Sequence, residues 1–129
     1  MEQKVILVVD DEHSSREFIK TVVEERNIKV ITANDGVECL SKAKEEIPDL
    51  IILDIQMPKK DGLTSFAELK KEPITTNIPV FMLTGIEDKR DISFSKKEMG
   101  ELYGTEPDEY IEKPIDPEKL LKLIQAILD

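Results

Sequence analysis

Two apolar runs in this chain end in carboxylates: Val5-Ile6-Leu7-Val8-Val9 runs into Asp10-Asp11-Glu12, and Leu50-Ile51-Ile52-Leu53 runs into Asp54. If both runs are buried parallel strands, the acids meet at one edge of a sheet. Two like charges about 4 Å apart at an effective dielectric near 20 repel by about 4 kcal/mol, a large share of a small domain's stability. Such a cluster asks for a metal ion, a lysine or a raised pKa. Two further strand candidates, at 78–83 and 109–112, end in Thr84-Gly85 and in Lys113-Pro114. Acids, a hydroxyl, a small residue offering a backbone N–H and an ammonium together suit a divalent cation and a phosphoryl group. An open parallel α/β sheet binds its ligands beyond the carboxyl ends of its strands, where strand order reverses.

The elements that must deliver these residues are legible as an alternation of short apolar runs with amphipathic stretches. The runs fall at 4–9, 28–33, 49–53, 78–83 and 109–112 and are mostly Val, Ile or Leu. Runs without a clean polar alternation fit strands covered on both faces, so repeated βα units on a parallel sheet are expected. Ser14-Ser15-Arg16-Glu17 has capping-box spacing, and Phe18, Ile19, Val22 and Val23 give the first helix an apolar stripe. Asp35-Gly36 opens a second helix through Leu40 and Ala43, closed by Pro48. Asp61-Gly62 opens a third with Leu63, Phe66 and Ala67 inward, ending before Pro73. Asp116-Pro117 is an N-cap followed by proline at the first helical position, with Leu120, Leu121, Ile124, Ile127 and Leu128 after it. Between them, 86–94 is expected as a loop or single turn and about 96–103 as a short helix, with Met99, Leu102 and Tyr103 on its apolar face.

Composition narrows the function classes. A chain of 129 residues makes one domain, 1–129, and no repeat, linker or low-complexity segment divides it. With 18 basic and 28 acidic side chains the net charge is −10, which disfavours direct nucleic-acid binding and an anionic membrane surface. Cys39 is the only cysteine and falls where a small buried apolar residue would serve, so no intrachain disulfide forms. His13 is the sole histidine, which excludes a multi-histidine metal site; it is expected as a partly exposed residue at a helix start. No apolar stretch reaches membrane-spanning length, and a cytoplasmic location is expected.

At this point the residues carry a family resemblance. VILVVDDE, PDLIILDIQMPKKDG, PVFMLTG and YIEKP, in that order and each at a strand end, resemble the receiver domain of two-component response regulators over nearly the whole chain. The resemblance implies a flavodoxin-like α/β fold: a doubly wound five-stranded parallel sheet of order 2-1-3-4-5 with helices on both faces. It implies that Asp54 is the nucleophile that takes a phosphoryl group from a phosphohistidine on a sensor histidine kinase or phosphotransfer protein. Asp11 and Asp54 are implied as direct Mg²⁺ ligands, Asp10 as a ligand through water, and Gln56 as the source of a backbone carbonyl. Lys113 would pair a phosphoryl oxygen, and the peptide before Pro114 is implied to be cis. Thr84 would bond the phosphoryl group with the N–H of Gly85 beside it, and Tyr110 would follow Thr84 as the switch aromatic. Phosphorylation would change the surface of the fourth helix, fifth strand and last helix, which a downstream protein reads. Such a protein is no enzyme beyond its own phosphorylation and dephosphorylation. Glu12 is expected to cap or line the site, and Met57-Pro58 with Asp61-Gly62 to shape it.

The sequence departs from the pattern in one region. Thr84 and Lys113 stand several residues further apart than the resemblance implies, and Gly104-Thr105-Glu106-Pro107-Asp108 replaces the usual Gly-Ala step before the fifth strand. That departure bears on partner choice rather than on chemistry. Ile86, two residues after Thr84, would cover the phosphate from water and lengthen its lifetime, while Gln56 would position or hinder a hydrolytic water. The chain ends at Asp129 just after the last expected helix, and a stand-alone, chemotaxis-regulator-like switch is expected. Two rivals stay open: a degenerate receiver that binds proteins without phosphorylation, and a phosphatase of the haloacid dehalogenase kind. The second requires another acid two residues after the nucleophile, where this chain has Gln56.

Overall fold

The computed structural model describes residues 3–57, 60–85 and 106–129. Their elements alternate: β1 (Val5–Val9), α1 (His13–Glu24), β2 (Lys29–Ala33), α2 (Gly36–Glu46), β3 (Leu50–Asp54), α3 (Gly62–Lys71), β4 (Val80–Thr84), β5 (Glu109–Glu112) and α4 (Pro117–Leu128). The five strands form one sheet of order β2-β1-β3-β4-β5 with every neighbouring pair parallel. This is the doubly wound, flavodoxin-like sheet expected, with order reversing between β1 and β3. The expected loop at 86–94, the short helix at 96–103, Ile86, Pro58 and Gly104-Thr105 lie outside the described residues.

Period-two alternation sends the central strands' side chains into two cores. Ile6, Val8, Leu50, Ile52, Phe81 and Leu83 pack with Ile19, Val22 and Val23 of α1 and Leu120 and Ile124 of α4. Leu7, Val9, Ile51, Leu53, Val80 and Met82 pack with Cys39 and Ala43 of α2 and Leu63, Phe66 and Leu69 of α3. Because both faces are covered, β3 is buried at every position and reads as a continuous apolar run. Two aspartates fix strand starts: Asp49 Oδ2 accepts from the Val5 N–H at 2.8 Å and Asp108 Oδ2 from the Val80 N–H at 2.9 Å.

Among the described residues, three of four helix starts form as expected. Asp35, Asp61 and Asp116 are N-caps whose carboxylates accept from Glu38, Thr64 and Glu118 backbone N–H groups. The first helix differs. Its N-cap position is Glu12, whose side chain makes no capping bond, and Ser14 lies inside the first turn. The cause is Asp10, whose Oδ1 accepts from the Glu12 N–H at 3.0 Å and turns the chain into the helix two residues early. Phe18 also departs from the expected stripe: it is 43 % exposed, while Ile19, Val22 and Val23 carry the burial. Ala67 and Ile127 likewise contribute less than expected, the first half-buried and the second exposed. Cys39 is fully buried, and no described helix is long and apolar enough to cross a membrane.

Candidate functional site

Register brings the chemistry together. Val9 pairs with Leu53, so Asp10 and Asp54 leave adjacent strand ends side by side. Asp54 pairs with Leu83, placing Thr84 one step beyond it, and Thr84 pairs with Glu112, placing Lys113 one step further again. Asp10, Asp11 and Asp54 each offer a carboxylate oxygen within 4.8 Å of the others. Asp10 is fully buried and Asp54 nearly so, while Asp11 is exposed. Of the three remedies for their repulsion, the structure supplies the lysine. Lys113 Nζ lies 3.2 Å from Asp10 Oδ2 and 3.3 Å from Asp54 Oδ1. Burial works against its charge, but Asp54 and Asp10 outweigh that, and the ammonium is held above lysine's ordinary pKa. The peptide from Lys113 to Pro114 is cis, as expected.

Asp10 is held at every oxygen. Oδ1 takes the Glu12 N–H, Oδ2 takes Lys113, and its backbone carbonyl accepts from Arg16 Nη1 at 2.8 Å. Asp11 has no protein partner among the described residues, and its carboxylate stays available. Arg16 Nη2 also lies 3.5 Å from His13 Nδ1, and His13 is the exposed first residue of α1, as expected. Reasoning from sequence overlooked Arg16. A signal existed, since a cation in a helix's first turn opposes the macrodipole and needs another reason to be there.

The start of α3 is held against the end of β3. The Gly62 N–H donates to the Ile55 carbonyl at 2.7 Å, and a Cβ at Gly62 would overlap the Asp54 carbonyl oxygen and sit 2.8 Å from Ile55 Cα. Only glycine lets α3 approach the backbone of the acid-bearing strand this closely. Gly36 plays a matching part on α2, where a Cβ would overlap Ser65 Oγ and meet the Lys60 carbonyl oxygen at 2.7 Å. Both positions were legible as turn signals, but their reason is contact between elements far apart in sequence.

The remaining expected residues lie around this centre. Thr84 and Gly85 are half-buried at the end of β4, and the Lys113 N–H donates to the Thr84 carbonyl at 2.8 Å. Tyr110 is half-buried on β5, opposite Met82, and packs against the core shared with α2 and α3. Gln56 lies two residues beyond Asp54 with an exposed side chain. Glu12 is the exposed residue before α1, and its side chain makes no capping bond. All donors at the acid cluster are hard oxygens, the set that Mg²⁺ or Ca²⁺ takes and that zinc or copper disfavours.

Comparison with known proteins gives one consistent result. The family model described as "Response regulator receiver domain" matches residues 6–125. The chain is 38% identical over 125 residues to the alkaline phosphatase synthesis transcriptional regulatory protein PhoP of Bacillus subtilis, covering 97% of this chain and 48% of that protein. Among solved structures, the chemotaxis protein CheY4 of Vibrio cholerae superposes with a TM-score of 0.82 at 31% identity, covering 98% of this chain and 100% of the other. A response regulator receiver domain protein from Clostridium thermocellum gives 0.81 at 31% identity, covering 97% and 94%. The chain spans about half the length of the curated relatives it matches.

Proposed function

Because the chain belongs to the response regulator receiver domain family of two-component signalling, we propose that it is a phosphoacceptor switch with Asp54 as the phosphorylated residue. The observation that carries the reading is Lys113 Nζ placed between Asp10 Oδ2 and Asp54 Oδ1 at 3.2 and 3.3 Å, at the strand edge where order reverses. An Asp54 oxygen attacks phosphorus as the P–N bond to a histidine ring of a sensor kinase or phosphotransfer protein breaks, the electron pair leaving on the ring nitrogen. Lys113 moves its pairing from the Asp54 carboxylate to a phosphoryl oxygen, an exchange of one anionic partner for another.

Asp11, Asp54 and the Gln56 backbone carbonyl would hold Mg²⁺, with Asp10 reaching it through water. Bound there, the ion supplies positive charge against the anionic phosphoryl group. The state of Asp10 fits this division: both its carboxylate oxygens already accept protein hydrogen bonds, whereas Asp11 is exposed and uncommitted.

Once Asp54 carries the phosphoryl group, the Thr84 hydroxyl and the Gly85 N–H bond its oxygens, and Tyr110 turns into the space that Thr84 leaves. Reversing a 1:99 equilibrium takes about 5.5 kcal/mol, which three charge-assisted hydrogen bonds of about 2 kcal/mol each supply. A downstream protein reads the change on the face carrying β5 and α4, in the cytoplasm. The receiver itself makes no nucleic-acid or membrane contact, in keeping with its net charge of −10. It turns over no substrate beyond its own phosphate. The test is transfer of labelled phosphate from a phosphorylated histidine kinase domain: the label should appear on this chain, require Mg²⁺ and be released by hydroxylamine, as an acyl phosphate is. Label that resists hydroxylamine, or none at all, would defeat the proposal.

A further inference from the structure

We propose that Arg16 is a positioning residue that sets the geometry of the acidic loop for its cation, an inference that rests on the function proposed above. The peptide between Asp10 and Asp11 is the hinge of the site. On one side of it Asp10 is buried and fixed by the Glu12 N–H and Lys113, and on the other Asp11 is exposed without a protein partner among the described residues. What orients Asp11 is therefore the plane of that peptide, and the side chain that grips the plane is Arg16, donating from Nη1 to the Asp10 carbonyl at 2.8 Å. The backbone closes the same loop, since the Arg16 N–H donates to the Glu12 carbonyl at 3.1 Å. Arg16 thus ties the first turn of α1 to the end of β1 across the two residues that carry the loop's direction.

The placement is costly in itself. A guanidinium in the first turn of a helix opposes the macrodipole, and α1 has no acid in that turn to offset it. It also stands near a site meant to attract a cation. Charge alone thus predicts that removing Arg16 tightens Mg²⁺ binding, whereas positioning predicts that removing it loosens binding. The sign of the effect separates the two, which a stability measurement would not.

Isothermal titration with MgCl₂ on the native chain, Arg16→Gln and Arg16→Lys is the test. Outer residues that orient ligands typically contribute tenfold or more to metal affinity, so Arg16→Gln should bind Mg²⁺ about tenfold more weakly. Arg16→Lys, which keeps a donor long enough for the carbonyl, should stay within about threefold of native. Should Arg16→Gln not fold, Arg16→Met keeps the aliphatic stem and carries the same expectation. Binding by either neutral variant as tight as native, or tighter, overturns the role of Arg16 while leaving the phosphoacceptor reading intact. No Mg²⁺ binding by the native chain would overturn both.

Discussion

Replacing Lys113 by methionine should cost stability in a way that Mg²⁺ partly restores. At 3.2 and 3.3 Å, its attractions to Asp10 and Asp54 are each about 5 kcal/mol at an effective dielectric of 20. Against them stand the desolvation of a half-buried ammonium, several kcal/mol, and the repulsion the two buried acids retain. Removing one partner of such a buried pair leaves uncompensated charge, and the net loss is expected at about 3 to 5 kcal/mol. Without Lys113 the acids lose the counter-charge at 3.2 and 3.3 Å, so the variant should bind Mg²⁺ about tenfold more tightly than native, recovering about 1.4 kcal/mol at saturation. Urea unfolding of native and Lys113→Met chains, with and without Mg²⁺, reads both quantities. A loss below about 1 kcal/mol, or one that Mg²⁺ leaves unchanged, would refute the electrostatic account of the site.

Other outcomes follow from the same geometry. Asp11→Ala should leave the fold intact, since Asp11 is exposed, and remove the rise in unfolding temperature that Mg²⁺ gives the native chain; a persistent rise would show that Asp11 is no ligand. Gly62→Ala should destabilise by about 3 kcal/mol and blunt the Mg²⁺ response, because the added Cβ overlaps the Asp54 carbonyl; native-like denaturation would contradict that contact. Alkaline pH should unfold the chain by two routes. Burial pushes the Cys39 thiol up to about 12, so the stability it contributes is full below the unfolded thiol's value and fades as pH climbs toward 12. Lys113, held above its ordinary value, loses its contribution over the range just above that of a free lysine. The checkable consequence is that Cys39 resists alkylation at mildly alkaline pH until urea unfolds the chain; rapid labelling of the native protein would contradict its burial.

Most of the site was legible because strand ends announce it. Asp10, Asp54 and Thr84 each close an apolar run and Lys113 follows the mixed strand Glu109–Glu112, and in a parallel sheet a place just past a strand fixes which edge a residue reaches. Helix starts at Asp35, Asp61 and Asp116 were legible for a local reason, a carboxylate that bonds a backbone N–H two or three residues on. The start of α1 was not, because its turn is set by Asp10, a residue from the strand before it, rather than by Ser14. Phe18 satisfied the helical period yet lies at the exposed side of the stripe, where periodicity alone does not resolve its neighbours. Arg16 and the tight packing at Gly62 escaped sequence reading for one shared reason. Each acts on a backbone carbonyl, and a sequence says nothing of where carbonyls point until the fold has formed.

The central claim is that Asp54 takes the phosphoryl group in a site made competent by Mg²⁺. Intact mass spectrometry after incubation with acetyl phosphate and Mg²⁺ addresses it directly. The native chain should gain the mass of one phosphoryl group, and that gain should vanish in Asp54→Asn and when the metal is chelated. An adduct that survives Asp54→Asn, or no adduct on the native chain at any Mg²⁺ concentration, would contradict it.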